Sequence, residues 1–323
     1  MGRNGEGHPR KFVVDAADSL ALAAAKAFAS GLERLRAQED GAVVGDVESL
    51  HQLRVATRRL RASIDLFRPI LNGNQVRLWQ RDLPWIAGAA GEVRERDVIE
   101  AVIKARAAKI DPKLLPSLET IHHRLAAERA ECLSNLGAIL QSERYQQMVR
   151  RLSVPALRKG AETLKLAQSA AQLLRPMARG AVRAGEHLVP GASAETVHRA
   201  RVRVKRLRYA LELVSGLGRK RQRKAMEYLE QMQDLLGEFN DAIVTCAWLI
   251  RYGASPDAPP ATALAAGALV QSLGKRQRKL AARCLKAWRK FDRSAIMRDT
   301  LGEIRRSGQL SEPATPPASS NAA

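Results

Sequence analysis

Two stretches of the chain carry a histidine followed by basic residues at steps of three or four. The first row is His51, Arg54, Arg58 and Arg61, and the second row is His198, Arg201, Lys205 and Arg208. On a helix, such steps place successive side chains roughly 5–6 Å apart on one face. Guanidinium groups match the geometry of phosphate oxygens, so a row of them can hold a chain of phosphates. Like charges at this spacing repel each other, and neither row contains an acid, so both rows predict an anionic partner.

The two rows lie within a longer internal repeat. Residues 51–61 (HQLRVATRRLR) align without a gap with residues 198–208 (HRARVRVKRLR), at an offset of 147 positions. The same offset matches two further cations and two acids, Arg59 with Arg206 and Asp65 with Glu212. The repeat therefore includes neighbours of the basic rows as well as the rows themselves.

A second pair of matched segments follows in the same order. Residues 91–95 (GEVRE) align with residues 237–241 (GEFND) at an offset of 146 positions. Arg77 and Arg223 fall on this offset as well. Two matched segments in one order indicate duplication of a helical unit, with one residue lost between them.

A second interpretation of the rows is a solvated basic face whose charge is balanced by acids elsewhere. The candidate acids are Glu48, Asp65, Glu95 and Asp97 in the first half, and Glu195, Glu212 and Asp241 in the second. A single basic helix face is most often of this kind. Repetition of the row with its histidine in register favours anion binding instead.

The two repeated histidines, His51 and His198, have two interpretations of equal weight. A phosphate beside a histidine favours the imidazolium form, so each can be a ligand contact. Each can also be a structural side chain that forms a hydrogen bond between helices. Neither has a carboxylate, cysteine or second histidine three or four positions further on. A metal site is therefore not predicted.

The net charge is the strongest compositional signal. The 323 residues include 54 Lys and Arg against 33 Asp and Glu, a formal net charge of +21, and the pI is near 10.7. This balance favours a polyanion as partner, whether nucleic acid, anionic lipid or an inorganic phosphate chain. Aromatic residues make up only 4%, which leaves few stacking surfaces of the kind that single-stranded nucleic-acid binders use.

The cysteines and the apolar runs bear on the compartment. Cys132, Cys246 and Cys284 are far apart and not in a metal-binding spacing, which predicts buried free thiols in a reducing environment. The N-terminal residues MGRNGEGHPRK are not followed by a signal-peptide core, and no apolar run approaches the length of a membrane span. We therefore expect a cytoplasmic protein without membrane insertion.

The elements that position the rows are predicted to be helices throughout. Alanine, leucine and arginine recur, and they favour helices. The predicted helices cover about 12–38, 46–71 with Asp46 as cap, 74–90, 94–109, 117–140, 161–187, 193–214 with Ser193 or Thr196 as cap, 219–236, 238–251, 262–290 and 293–306. Gly91 and Gly237 are predicted to interrupt helices, residues 253–260 to form a loop, and 1–11 and 308–323 to be flexible tails. Helices joined by short loops predict an all-α protein built of bundles.

At the repeated residues the chain resembles the CHAD family, named for a conserved histidine and α-helical content. The family's first motif, His-x-x-Arg-Val-x-x-Arg-Arg-Leu-Arg, is found from His51 and, with lysine for one arginine, from His198. A second motif is similar to Leu-Gly-x-x-Arg-Asp and is found at residues 90–95 and 236–241, where Glu95 replaces Asp and Asn240 replaces Arg. The resemblance covers about residues 12–306.

The resemblance implies a fold, a ligand and a set of contacts. The implied fold is two four-helix bundles related by a pseudo-twofold axis, with repeat halves at about residues 12–155 and 156–306. The implied function is binding of inorganic polyphosphate, and more generally polyanions, in a basic cavity, with association with polyphosphate granules and no cofactor. By matching positions, the implied contacts are His51, Arg54, Arg58, Arg59, Arg61, His198, Arg201, Lys205, Arg206 and Arg208, with Lys26, Arg77 and Arg223 as secondary candidates. Many CHAD domains are fused to a triphosphate-tunnel domain, whose strand motif Glu-x-Glu-x-Lys does not occur here, so a stand-alone protein is expected.

Three other functions share parts of this pattern. A helical nucleic-acid binder shares the charge, but the tryptophans lie off the basic rows, and Tyr209 is the aromatic residue nearest to them. An enzyme acting on phosphate chains needs Mg²⁺ held by carboxylates and a positioned base, for which the rows offer no close acidic pair, so catalysis is not predicted. A membrane-surface protein needs an exposed apolar face beside the basic one, whereas this face is expected to be core.

Overall fold

The structure, a computed structural model, describes residues 14–189, 192–218, 220–293 and 295–310, and in these ranges it confirms an all-α fold. The helices are α1 Leu20–Arg36, α2 Glu39–Val43, α3 Val47–Phe67, α4 Gly73–Ala107, α5 Leu118–Gln141, α6 Glu143–Ser153, α7 Leu166–Glu186, α8 Ala194–Leu213, α9 Lys220–Gly253, α10 Pro260–Arg293 and α11 Ile296–Leu310. Two short 3₁₀ turns, Arg68–Ile70 and Pro112–Ser117, follow α3 and α4. Within the described ranges, no helix is both long and apolar enough to cross a membrane.

The helices that carry the basic rows begin at the predicted caps. The Asp46 carboxylate accepts a hydrogen bond from the backbone N–H of Ser49 at 2.7 Å and starts α3. The Ser193 hydroxyl accepts one from the backbone N–H of Thr196 at 3.2 Å and starts α8. A side-chain oxygen at this position satisfies a backbone donor that has no partner inside the helix. Both rows are thereby fixed in register from their first turn.

The predicted interruptions at Gly91 and Gly237 are wrong, because α4 and α9 each run unbroken through their glycine. One glycine costs a helix only about 1 kcal/mol relative to alanine. Burial of the neighbouring side chains Ala90, Val93 and Leu236 offsets that cost. At Gly91 the absent side chain also makes room, because a Cβ there would clash with Nη1 of Arg54.

Other boundaries differ from the prediction. The first helix begins at Leu20 and not at 12, since the Ser19 hydroxyl caps it. Helix α6 was not predicted, although its buried residues Tyr145, Met148, Val149 and Leu152 follow a helical spacing. Helix α11 extends to Leu310, so residues 308–310 of the predicted tail are helical. The predicted leader 1–11 and residues 311–323 lie outside the described residues.

The helices form two groups that meet along α3 and α8. In the first half, α3 packs against α1 and α4, and α6 packs against both of those helices. In the second half, α8 packs against α7 and α9, and α11 packs against both of those helices. Each half therefore contributes a four-helix bundle with the same pattern of contacts. The direct contact between α3 and α8 brings the two basic rows to the junction of the bundles.

A second hydrophobic core joins the far ends of the long helices. It contains Ile99 and Ile103 from α4, Trp248 and Leu249 from α9, and further buried residues from α5 and α10. This core is separate from the large core that the two bundles share. The two-bundle prediction did not include this second core, which packs α4 and α9 together beyond the junction of the bundles.

Candidate anion-binding cavity

A cavity of about 300 Å³ lies where α3 meets α8, with α4 as its third wall. It is lined from α3 by Arg54, Thr57, Arg58 and Arg61, from α4 by Pro84, Ala87 and Gly88, and from α8 by His198, Arg201, Val202, Lys205, Arg206 and Tyr209. Both basic rows therefore contribute to one site. The sequence alone left open whether the two rows face each other.

The helix period places the rows at the edge of the core. Leu53 and Leu60, which are fully buried, precede Arg54 and Arg61 by one residue each. Successive residues are about 100° apart around a helix, so each arginine lies beside the buried face and not opposite it. The arginine side chains consequently enter the space between the bundles, where burial removes part of their hydration.

Five of the cations that line the cavity have no ion-pair partner among the described residues. We call these the cavity cations: Arg54, Arg58, Arg61, Arg201 and Lys205. Nη1 of Arg54 reaches only the backbone oxygen of Ala87, at 3.5 Å. The buried Nε atoms of Arg58 and Arg201 have no hydrogen-bond acceptor within the described part of the chain. Buried donors of this kind are rare in folded proteins.

Burial and mutual repulsion lower the pKa values of Lys205 and Arg54. Burial, together with the charges of Arg201, Arg58 and Arg54, lowers the pKa of Lys205 to about 6. Burial and the neighbouring Arg58 and Arg201 lower the pKa of Arg54 to about 10. Burial disfavours a charged form, and nearby like charges add to that effect. In the unliganded site Lys205 is thus neutral at pH 7.

The pKa values of Arg201 and Arg61 are lowered as well. Burial lowers the pKa of Arg201, and Arg58 contributes to this, although the carboxylate of Asp241 opposes it. Burial lowers the pKa of Arg61, with a further contribution from Arg206. An anion in the cavity would reverse these shifts, because an opposite charge at close range favours the protonated form.

Three other arginines of the repeat are ion-paired, and we call Arg59, Arg206 and Arg208 the paired cations. Nη2 of Arg59 lies 3.4 Å from Oε2 of Glu212, and Nη1 of Arg206 lies 3.5 Å from Oδ2 of Asp65. These two pairs are equivalent under the 147-residue repeat, and both link α3 to α8. Arg208 donates to Glu212 at 2.9 Å and to Gln233 at 3.1 Å. The interpretation in which acids balance the basic face therefore describes these three residues.

Only one of the paired cations lines the cavity. Arg206 belongs to the cavity wall, while Arg59 and Arg208 contact the ring of Tyr209 from outside it, at 6.0 and 4.7 Å from the ring centre. Tyr209 is only 3% exposed. Its ring supports guanidinium groups by cation–π contact and does not offer a free face for stacking a base.

The two repeated histidines occupy different environments. His198 lines the cavity and is exposed, with Nδ1 3.5 Å from Oδ1 of Asn240. His51 is half-buried outside the cavity wall, and burial, together with the charge of Arg58, lowers its pKa. His51 is therefore neutral at pH 7 in the absence of a ligand, and of the two histidines His198 is the one placed to contact an anion.

The secondary candidates do not line the cavity. Lys26 donates two hydrogen bonds of 2.8 Å to the buried carboxylate of Asp18. Arg77 and Arg223 are exposed, and Arg77 donates to the side chain of Asn74. Arg77 and Arg223 match in sequence because they hold equivalent positions on α4 and α9, on the outer surface of the helices.

The wall that α4 contributes was not predicted. It consists of small residues, since Ala87 and Gly88 line the cavity and Gly91 leaves room for the Arg54 side chain. The run AGAAG at residues 87–91 was the sequence signal for a wall of small residues. Its last residue, Gly91, was instead interpreted as the end of a helix. Within the described residues, no group of three or more His, Cys, Asp or Glu is arranged to hold a metal ion.

Comparisons with known proteins agree with the fold and the motifs. The sequence model of the CHAD domain matches residues 26–250. The structure is similar to the crystal structure of the CHAD domain from the plant Ricinus communis, with 25% identity, a TM-score of 0.69, and coverage of 89% of this chain and 96% of that one. It is also similar to PptA from Streptomyces chartreusis, with 19% identity, a TM-score of 0.68, and coverage of 84% and 99%. Among curated proteins, none matches the sequence.

Proposed function

Because the chain belongs to the CHAD family, we propose that it binds inorganic polyphosphate in the cavity between α3 and α8. The cavity cations hold the phosphates, with His198 at the edge of the site. The protein acts as a binder of the chain and not as an enzyme on it. Its place in the cell is the cytoplasm, on polyphosphate granules.

The observation that carries this proposal is the convergence of five cations without acidic partners among the described residues. Cations are costly to bury without a counter-charge. The lowered pKa values of Lys205 and Arg54 are in line with that cost. A bound polyanion removes the cost, since each phosphate supplies a negative charge and several acceptor oxygens.

Polyphosphate fits the chemistry of the wall better than nucleic acid does. It is a flexible chain of charges without bases, so its site needs cations and no groups that read or stack bases. The cavity offers guanidinium and ammonium groups, and its one aromatic side chain, Tyr209, is buried beneath arginines. A single-stranded nucleic-acid site would require exposed aromatic faces.

Titration calorimetry with long-chain polyphosphate tests the proposal. The variant to compare with the wild type is Arg54→Ala/Arg58→Ala/Arg201→Ala/Lys205→Ala, which removes four cavity cations. A matched control removes four exposed cations from α10, in the variant Lys275→Ala/Lys279→Ala/Arg283→Ala/Lys286→Ala. Both variants lose four basic side chains, so a difference between them isolates the position of the cations from their number. Duplex DNA serves as a competitor in each titration.

We expect tight binding by the wild type and the α10 control, weak competition from DNA, and loss of binding by the cavity variant while circular dichroism shows intact helices. Affinity should fall steeply with salt concentration, as it does when several phosphates are neutralised. Equal losses in both variants would show a general effect of charge. Ready displacement by DNA would favour the nucleic-acid function.

Granule association is tested separately in cells. A fluorescent fusion of the wild type should collect on polyphosphate granules, and a fusion of the four-residue cavity variant should be diffuse. If the cavity variant still collects on granules, a surface other than the cavity directs the protein there.

A further inference from the structure

The cavity continues into two further spaces along the junction of the bundles. The first has a volume of about 290 Å³ and shares Arg61, Pro84 and Arg206 with the cavity wall. The second has a volume of about 840 Å³ and shares Asp65, Arg68 and Arg206 with the first. Arg206 lines all three spaces. The three spaces adjoin one another and follow one another outward from the cavity cations, and we call them together the channel.

Three arginines meet at the outer end of this channel. Arg68 follows the end of α3, Arg158 lies in the connection between α6 and α7, and Arg203 lies on α8. They come from three separate elements and are exposed, and none of them has an ion-pair partner in the described ranges. A solvated basic face usually lies on one helix, whereas here three elements direct cations into one space. Ser169 and Gln172 of α7 add polar groups to the same wall.

The α3 row extends towards this outer end. Arg61 and Arg68 are seven residues apart, which is close to two helical turns, about 10 Å along the axis. Asp65 lies between them and would repel an anion if it were unpaired. Its carboxylate is held by Arg206 from the opposite half at 3.5 Å, so the intervening position is neutralised. The sequence alone showed an acid that ended the basic row.

We propose that Arg68, Arg158 and Arg203 form an outer subsite for polyphosphate, reached through the channel from the cavity cations. The inference rests on the proposed function and adds a consequence to it. A chain that is long enough to span the channel contacts both sites, while a short chain contacts only one of them. The protein therefore prefers long polyphosphate, and part of this preference comes from residues outside the two basic rows.

The test compares two probes and three proteins by titration over a range of salt concentrations. The probes are tripolyphosphate and long-chain polyphosphate. The proteins are the wild type, the subsite variant Arg68→Ala/Arg158→Ala/Arg203→Ala, and a control, Lys279→Ala/Arg283→Ala/Lys286→Ala, which removes the same charge from the exposed face of α10. The replaced side chains are exposed, and circular dichroism and thermal unfolding check that each variant folds as the wild type does.

We expect the subsite variant to bind long chains at least tenfold more weakly than the control does, with equal affinity for tripolyphosphate. The slope of log affinity against log salt for long chains should be smaller by about two units, since each phosphate contact on a flexible strand contributes about 0.7. The control should keep both the affinity and the slope of the wild type.

Three results would overturn the outer subsite. One is a subsite variant that binds long chains as the control does. Another is an equal loss with tripolyphosphate, which would place the three arginines in the primary site. If the wild type binds neither probe, the proposed function itself fails, and the subsite fails with it. In the first two cases the wild type still binds polyphosphate, so the proposed function stands.

Discussion

The cavity cations and the paired cations lie on the same two helices, within the same repeated motif, yet they are in opposite electrostatic situations. Arg59 and Arg206 each reach across the junction to an acid of the other half. Arg54 and Arg201 face other cations across a cavity, and burial lowers the pKa of both. The paired residues link the two bundles, whereas the cavity residues repel each other as long as no anion is bound.

The difference teaches that a basic motif can serve structure and binding at once. Of the paired cations, Arg59 and Arg206 supply a symmetric contact between α3 and α8, which fixes the distance between the rows. The cavity cations depend on that contact, because their mutual repulsion would otherwise separate the helices. Each group should therefore respond differently to substitution, both in ligand affinity and in the free energy of unfolding.

The largest expected effect is a difference in polyphosphate affinity between variants of two arginines in the α8 row, Arg201 and Arg208. Arg201→Ala should raise the Kd by about 10- to 100-fold, because a charge-assisted hydrogen bond contributes about 1.5–3 kcal/mol. Arg208→Ala should change the Kd by less than about threefold, because Arg208 already donates to Glu212 and Gln233 outside the cavity. Calorimetric titration of both variants measures the difference. Equal losses would mean that the paired cations also contact the ligand.

The second prediction concerns the free energy of unfolding without ligand. Arg206→Met should lower it by about 1–2 kcal/mol, because the half-buried Asp65 loses its partner. Arg54→Met should leave it unchanged or raise it by up to about 1 kcal/mol, because the repulsion with Arg58 and Arg201 and the cost of burying the charge are removed.

Urea unfolding followed by circular dichroism measures both values. The control is Arg251→Met, a substitution of an exposed arginine near the end of α9, which should have little effect. A loss of stability in Arg54→Met as large as that in Arg206→Met would show that the cavity cation has a stabilising partner, contrary to the comparison drawn above.

The all-α fold and the caps at Asp46 and Ser193 followed from composition and spacing. A common cavity for both rows was implied only by the family resemblance. The division of the rows into cavity and paired cations followed from neither. It depends on which side chains of α3 and α8 face each other across the junction, and a single sequence does not specify such contacts. Asp65 and Glu212 were among the candidate acids, but sequence distance could not assign them to arginines of the opposite half.

The same limit applies to the glycines and the channel. Gly91 has the sequence signature of a helix end, because a glycine is costly in a helix unless a tertiary contact requires it. Its role emerges only when the Arg54 side chain is placed against it. Arg158 belongs to no motif and Arg203 holds a variable position of one, so their shared role becomes visible only when the fold brings them to one wall.

The third prediction uses pH to distinguish the cavity from the rest of the protein. Lys205 has a pKa of about 6 in the folded protein, below the ordinary lysine value of about 10.4 in the unfolded chain. Between these values the unfolded state binds more protons, so the free energy of unfolding should rise with pH from about 6 to about 10. Lys205→Met should remove this rise, as measured by urea unfolding at several pH values.

The same residue should couple binding to proton uptake. A bound polyanion raises the pKa of Lys205, so at pH 8 each site should take up to about one proton as it fills. The measurement is titration calorimetry in two buffers with different ionisation enthalpies. Lys205→Met is the diagnostic variant, and Arg61→Met, which removes a cavity charge but no group that titrates near pH 8, is the control. Equal uptake in wild type and Lys205→Met would assign the proton to another group.

The smallest effect compares the two equivalent glycines, Gly91 and Gly237. Both lie inside continuous helices, so Ala in place of Gly should favour the helix by about 0.5–1 kcal/mol where space allows. A Cβ at Gly237 would meet no atom within 4 Å, while at Gly91 it would clash with the guanidinium group of Arg54. The displaced group is the end of a flexible side chain, so it can move, but only away from its position in the cavity wall.

Gly237→Ala should therefore raise the free energy of unfolding by that amount and leave polyphosphate affinity unchanged. Gly91→Ala should gain less stability and bind polyphosphate a few-fold more weakly, since Arg54 is moved without being removed. The double variant Gly91→Ala/Arg54→Ala separates the causes: with Arg54 absent, the added methyl group should have no further effect on affinity. If Gly91→Ala weakens binding equally in the presence and absence of Arg54, the glycine acts on the ligand directly and not through the arginine that it accommodates.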